Sequence, residues 1–224
     1  MAWGDVRSGR ALDRLINFSD AVVSVAVTVL ALPVVDIPGP TNGQTIWDVL
    51  FLNSGKLQTF VMTFVVVSML WGIHNRIVNN LRSYDTAIFF LTILWLLGFA
   101  FLPWPSRLSA GPGAHFDLSS AATANTGDAG VLYWLTLAYI AFIGALTAHH
   151  MRRHPDLIDP AAREYWTAFQ SSRARWRGAA FTVVFVLAAV ASHFIFWLGS
   201  VVFILAIPLA LYLRPPSRKA QAGT

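Results

Sequence analysis

The chain has 224 residues, 56 % of them hydrophobic and only 12 % charged, with a net charge of +5 and no cysteine. Soluble domains carry roughly 25 % charged residues, so this composition points away from a soluble enzyme and toward a polytopic membrane protein. Disulfides, thiol catalysis and Cys-ligated metals are excluded, and the basic residues flank apolar runs instead of forming an aromatic-studded basic face, so no nucleic-acid partner is expected.

The first apolar run covers about 12–34. It carries Asp20 inside it and lacks a small-residue cleavage site, so it reads as a retained span and not as a secretory signal. An ionisable group at that depth costs several kcal/mol unless paired, which makes Asp20 a functional-site candidate. Asp20, Ser24 and Thr28 recur at i, i+4, i+8 and form a polar stripe, while Val25, Val29 and Leu32 form an apolar one. A Pro/Gly-rich loop follows, from Asp36 to Asn42.

Further spans are expected at about 55–79, 85–104, 130–151, 177–194 and 198–213, six in all within a single domain, 1–224. Span three ends Phe101-Leu102-Pro103-Trp104-Pro105-Ser106, read as an interfacial aromatic with helix-stopping prolines. The loop from Ser106 to Asp128 has no domain-like pattern. Asp159-Pro160 supplies an N-cap and an N1 proline, so a helix is expected from 160 into span five, with Trp166, Phe169 and Trp176 suited to a membrane surface. Residues 178–213 are nearly all apolar. As one helix they would measure about 54 Å against a core of about 30 Å, so Trp197-Leu198-Gly199-Ser200 is read as a hairpin, with one long tilted helix as the alternative. The Pro- and basic-rich tail, 214–224, is expected to be disordered.

Under this span count, 14 of the 16 Lys and Arg residues fall on one side, with Lys56 and Arg107 on the other. The positive-inside rule then puts both termini in the cytoplasm, which an even number of spans satisfies.

Arg14 lies about 9 Å below Asp20 along span one. Trp71, His74 and Asn75 occupy the same cytoplasmic third of span two. Depth thus makes Arg14, Ser19, Asp20, Trp71, His74 and Asn75 candidates for one polar network, which either holds two helices in register or senses protons through His74. His149, His150 and His154 cluster with Arg152 and Arg153 at the end of span four. Their neighbouring arginines repel cations, so an interface belt is expected there and no metal site. His193 reads as an interface residue and His115 as a loop residue. No nucleophile elbow, Walker motif, dinucleotide fingerprint or His-Glu-x-x-His is present, so no enzyme and no cofactor is expected.

The order Arg14-x-x-x-Phe18-Ser19-Asp20, followed by Ser24, Thr28, Leu32 and Pro33, resembles the first helix of the transmembrane-protein-175 family, the lysosomal potassium channels of animals and their shorter prokaryotic relatives. Trp71-x-x-His74 is similar to the family's second helix, and Pro103-Trp104-Pro105-Ser106 to its Pro-Phe-Pro-Thr ending. The resemblance implies an all-α membrane protein of six helices, a single-repeat member that assembles as a homotetramer around a central pore in a prokaryotic cell membrane. It implies that the first helix lines the pore, with Val25, Thr28, Val29 and Leu32 at or beside the conduction path, and that Arg14, Phe18, Ser19, Asp20, Trp71, His74 and Asn75 form the cytoplasmic polar network. The implied function is a potassium-permeable cation channel, with potassium ions, membrane lipids and copies of itself as partners. No Thr-Val-Gly-Tyr-Gly filter is present, so a narrow apolar pore with modest potassium over sodium selectivity is expected. A proton-coupled transporter using Asp20 and His74, and a non-transporting structural membrane protein, stand as alternatives.

Overall fold

The computed structural model describes residues 6–41, 43–110, 124–171, 176–194, 198–205 and 212. Ten α-helices lie in these residues: α1 Arg10–Leu30, α2 Leu32–Val35, α3 Ile46–Leu52, α4 Ser54–Val78, α5 Thr86–Phe101, α6 Pro103–Ser109, α7 Ala124–Arg153, α8 Arg163–Ser171, α9 Arg177–Phe194 and α10 Leu198–Leu205. In hydrocarbon every backbone polar group must be bonded within the segment, so spans of this composition fold as helices.

Five helical stretches are long and apolar enough to cross a membrane: Arg10–Val35, Ser54–Val78, Thr86–Ser109, Gly127–Arg153 and Arg177–Phe194. The chain is an integral, multi-pass membrane protein. Eight described residues make up α10, and residues 206–211 and the 214–224 tail lie outside the described residues. The chain nevertheless folds back after α9. The rings of Phe185 on α9 and Phe203 on α10 stack with centroids 5.8 Å apart, whereas one straight helix would separate these positions by about 27 Å. The long-helix alternative therefore fails.

The third span runs further than expected. Pro103 and Pro105 do not end the third span. They sit in the first turn of α6, where a missing N–H costs nothing, and the helical path continues to Ser109. Pro33 does the same in α2, which carries the first span to Val35. The helix expected from 160 begins as a 3-10 turn, Pro160–Ala162, capped by Asp159, whose side chain accepts from the Ala161 N–H. It becomes α-helical at Arg163, and its passage into α9 lies outside the described residues. So do His115, Arg173 and Arg175 and most of the 106–128 loop.

A central apolar core joins six helices: Val23 of α1, Val67 of α4, Trp95 and Phe99 of α5, Leu137 and Ile140 of α7, Phe185 and Ala188 of α9, and Phe203 of α10. A second core closes one end of the bundle around Leu15, Ile77, Ile88, Met151, Leu157 and Trp166. Backbone pairing ties this end together. The strands β1 (Arg7–Ser8) and β2 (Ser83–Tyr84) pair antiparallel, the Arg82 N–H donates to the Leu157 carbonyl at 2.9 Å, and the Asp159 N–H donates to the Asn80 carbonyl at 2.9 Å. Arg7, Arg10, Arg76, Arg82, Arg152 and Arg153 all cluster at this end, which is the basic end of the molecule. At the opposite end Thr63 Oγ1 shares hydrogen bonds with the Tyr133 hydroxyl at 3.0 Å and Ser106 Oγ at 3.4 Å, joining α4, α6 and α7.

Candidate permeation site

α1 has two unequal faces. Leu12, Leu15, Ser19, Val23, Ala26 and Leu30 are buried against the bundle. The opposite face carries Phe18, Val25, Thr28 and Val29, and Leu32 of α2 extends it; all are exposed, Val25 at 64 % and Leu32 at 51 %. The spacing that separates these faces is the ordinary helical one. The hydroxyls along this face are turned inward: Ser24 Oγ donates to the Asp20 carbonyl at 2.7 Å and Thr28 Oγ1 to the Ser24 carbonyl at 2.9 Å. Each hydroxyl thereby spends its proton on the helix and keeps oxygen lone pairs free, so the stripe presents acceptors and methyl groups but no donors. Beside it, Val25, Val29 and Leu32 share an open groove of about 590 Å³ with Pro103, Trp104 and Arg107.

Of the seven residues assigned to a polar network, the structure joins two directly. The Trp71 Nε1–H on α4 donates to Asp20 Oδ1 at 2.8 Å. Arg14 makes no ion pair with Asp20, and the reason is angular. Six residues correspond to about 600° of rotation, so the two side chains leave the helix about 120° apart. His74 does not reach Asp20 either. It is buried and stacks on Trp95 with centroids 3.8 Å apart and planes 12° from parallel. Three residues separate it from Trp71, enough to turn it toward α5 while Trp71 faces α1. Ser19 is buried and donates to the Leu15 carbonyl at 2.8 Å, Phe18 is exposed, and Asn75 Oδ1 accepts from Asn79 Nδ2 at 2.7 Å. Within one subunit the expected network is therefore one hydrogen bond flanked by separate contacts.

Two arrangements escaped the sequence reading. His150 Nε2 lies 2.7 Å from Asp85 Oδ2, with the His154 ring 4.3 Å from that of His150. Asp85 also caps α5 by accepting from the Ile88 N–H. It lies 65 positions from His150, so local spacing could not reveal the pair; its cap role, an Asp before an apolar run, was visible. The short α3 was also signalled, by Thr45-x-x-Asp48, which forms a complete capping box. No group of three or more His, Cys, Asp or Glu residues suited to a metal occurs among the described residues.

Comparison with known proteins gives a consistent likeness. Residues 14–103 match the family model described as endosomal/lysosomal potassium channel TMEM175. A potassium channel from Streptomyces collinus is 26 % identical over 147 residues, 66 % of this chain and 68 % of that protein. A potassium channel from Chamaesiphon minutus is 26 % identical over 204 residues, 88 % of this chain and 93 % of that protein. The endosomal/lysosomal proton channel TMEM175 of Gallus gallus is 29 % identical over 150 residues, and the match spans only 27 % of its length. The crystal structure of a lysosomal potassium-selective channel TMEM175 homolog from Chamaesiphon minutus superposes with a TM-score of 0.62 at 23 % identity, covering 92 % of this chain and all of that one, so the two share a fold.

Proposed function

We propose that the chain, whose residues 14–103 match the endosomal/lysosomal potassium channel TMEM175 family model, is a potassium-permeable cation channel whose pore is lined by α1. The observation that carries this reading is the exposed stripe of Val25, Thr28, Val29 and Leu32 on a helix whose other face is fully packed. One such stripe cannot enclose a pathway, so the proposal includes a closed ring of subunits, a homotetramer, with α1 of each copy at the axis. Both bacterial relatives that match most of this chain are named potassium channels, which supports potassium as the permeant ion and a prokaryotic cell membrane as the location.

The pore so formed has apolar constrictions at Val25, Val29 and Leu32 and a ring of hydroxyl oxygens at Thr28. An apolar constriction can gate by dewetting, and hydroxyl acceptors replace part of an ion's hydration shell. Acceptors without donors favour cations over anions. Apolar side chains offer little to separate potassium from sodium beyond hydration cost, so selectivity is modest. The basic end faces the cytoplasm, and Trp71 there anchors the pore helix through Asp20.

Weighing against the proton-coupled transporter is the distance in role between its two residues: His74 stacks in the core on Trp95 and Asp20 pairs with Trp71. The test is a planar bilayer holding purified protein under a potassium/sodium bi-ionic gradient. Discrete openings with a reversal potential displaced toward potassium are expected. A folded oligomer that passes no current across a range of voltage and pH, yet moves substrate in a flux assay, overturns the channel reading.

A further inference from the structure

At the basic end the bundle contains a second cavity, of about 130 Å³, lying between α4, α7, α8 and α9. Trp95, Ile140 and Phe181 form apolar walls around it. Two side chains that line it are buried and lack hydrogen-bond partners among the described residues: both ring nitrogens of His74 and Nε1 of Trp166. The two residues are only 5 % and 4 % exposed. A neutral imidazole offers one donor and one acceptor and an indole one donor, and burying such groups unmet is costly. They therefore favour a ligand that brings oxygen atoms into the cavity.

The charge around the cavity fixes the sign of that ligand. Arg76, Arg152 and Arg177 line it, from the last turns of α4 and α7 and the first turn of α9, and among the described residues no carboxylate does. Its opening fixes the source. Trp176 and Ala179 border the cavity and are exposed on the outer side of the bundle, where α9 begins a membrane-length apolar helix. Basic pockets between transmembrane helices at this level suit acidic lipid headgroups, and a Trp at the rim suits the membrane–water boundary.

We propose that this cavity is a binding site for the headgroup of an anionic phospholipid from the leaflet at the basic end. The arginines meet the phosphate, His74 and Trp166 meet glycerol or ester oxygens, and the acyl chains lie outside along α9, since the cavity has room for a headgroup but not for chains. The site joins α4 to α8 and α9 and is separate from the exposed face of α1. It does not depend on the permeation reading, and its test needs no current.

The experiment uses the purified full chain in a neutral detergent. Phosphatidylglycerol, phosphatidylcholine or inorganic phosphate is added, and the unfolding midpoint and the lipid retained in native mass spectrometry are measured. Phosphatidylglycerol is expected to raise the midpoint by several degrees and to remain bound, while phosphatidylcholine and phosphate do neither. Equal stabilisation by inorganic phosphate overturns the lipid source, and equal stabilisation by phosphatidylcholine overturns the charge selection. Two variants locate the site. Arg76→Gln removes a charge from an exposed helix end and is expected to weaken phosphatidylglycerol retention about fivefold. His74→Phe keeps the ring stacked on Trp95 but removes both nitrogens; it is expected to fold at least as well as the parent and to lose part of the lipid-induced shift. Retention and shift unchanged in both variants place the lipid elsewhere and overturn the proposal.

Discussion

The Trp71 indole donates a 2.8 Å hydrogen bond to the Asp20 carboxylate and so links α4, at its basic end, to α1. Asp20 is half-buried and its carboxylate has no ion-pair partner among the described residues, which leaves the indole as the contact that fixes its side chain. Hydrogen bonds to charged groups contribute about 1.5–3 kcal/mol, less where water competes. Trp71→Phe is therefore expected to lower stability by about 1–2 kcal/mol, measured as a drop in the unfolding midpoint in detergent. Arg14→Ala is expected to cost less than about 0.5 kcal/mol, as for an exposed residue outside such a contact. Equal losses in the two variants would mean that Arg14 pairs with Asp20 across a subunit boundary.

Leu32 stands at the end of the exposed stripe, 51 % exposed, in the short helix that follows α1. In the proposed pore its removal widens a constriction without disturbing any packed contact of the core. Leu32→Ala is expected to raise single-channel conductance or to shift the bi-ionic reversal potential toward zero, with the unfolding midpoint unchanged. Conductance and reversal potential identical to the parent would move the pathway off this face.

Much of this was legible because period and composition suffice for it. The alternation of Leu15, Ser19, Val23 and Ala26 with Val25, Val29 and Leu32 is a helical period, and one face of it had to be the packed one. What the sequence could not tell was which face, since a lipid-facing, pore-facing and core-facing valine look alike. Which members of the polar network touch within one subunit was hidden for a related reason. Depth along a span follows from rise per residue, but contact also needs the azimuth of each helix, which tertiary packing sets. Trp71 and His74 share a depth and face different helices, α1 and α5. The prolines at 103 and 105 misled because a stop signal and a first-turn signal are the same residue.

Asp85 lets the basic end respond to acid. Burial pushes its carboxyl up, but the Ile88 N–H and the His150 side chain outweigh this and hold it below its usual value. A carboxylate lowered on folding stabilises the fold above its unfolded pKa, and that contribution is lost as pH falls through the folded value. Asp85→Asn keeps a cap acceptor for α5 and removes the charge. The stability gap between parent and variant is expected to be full at pH 6 and to shrink below about pH 4. Denaturation curves at a series of pH values check this, and a gap that persists undiminished at pH 3 would assign it to lost cap geometry instead of charge.

Gly178, in the first turn of α9, lies against Ala145 of α7. A Cβ added there would stand 2.8 Å from the Ala145 Cβ and 3.1 Å from its Cα, and backbone cannot step aside as a side chain can. Small residues at such crossings let membrane helices pack closely. Gly178→Ala is expected to cost about 1–3 kcal/mol. Ala145→Gly in the same chain should recover most of it, because it removes the nearer of the two atoms. A double variant no better than the single would mean that the strain passes to the backbone, and the measured quantity in each case is the unfolding midpoint.

The arrangement of α1 around an axis can be read directly, because the chain contains no cysteine and any introduced thiol is alone. In the proposed ring, residues on the exposed stripe of one subunit approach their counterparts in the others. Val23, by contrast, is 5 % exposed and faces its own bundle. Val29→Cys is thus expected to form a disulfide-linked dimer within the assembly on mild oxidation, seen as a doubled mass on a non-reducing gel, and Val23→Cys is expected to stay monomeric on the same gel. The two positions lie six residues apart, about 9 Å along the helix. Because Val23 is buried and Val29 exposed, labelling of each thiol by a small maleimide before oxidation shows that both can react, and the contrast then reports which face meets the axis. Cross-linking from Val23→Cys but not from Val29→Cys would invert the helix and remove the stripe from the pore.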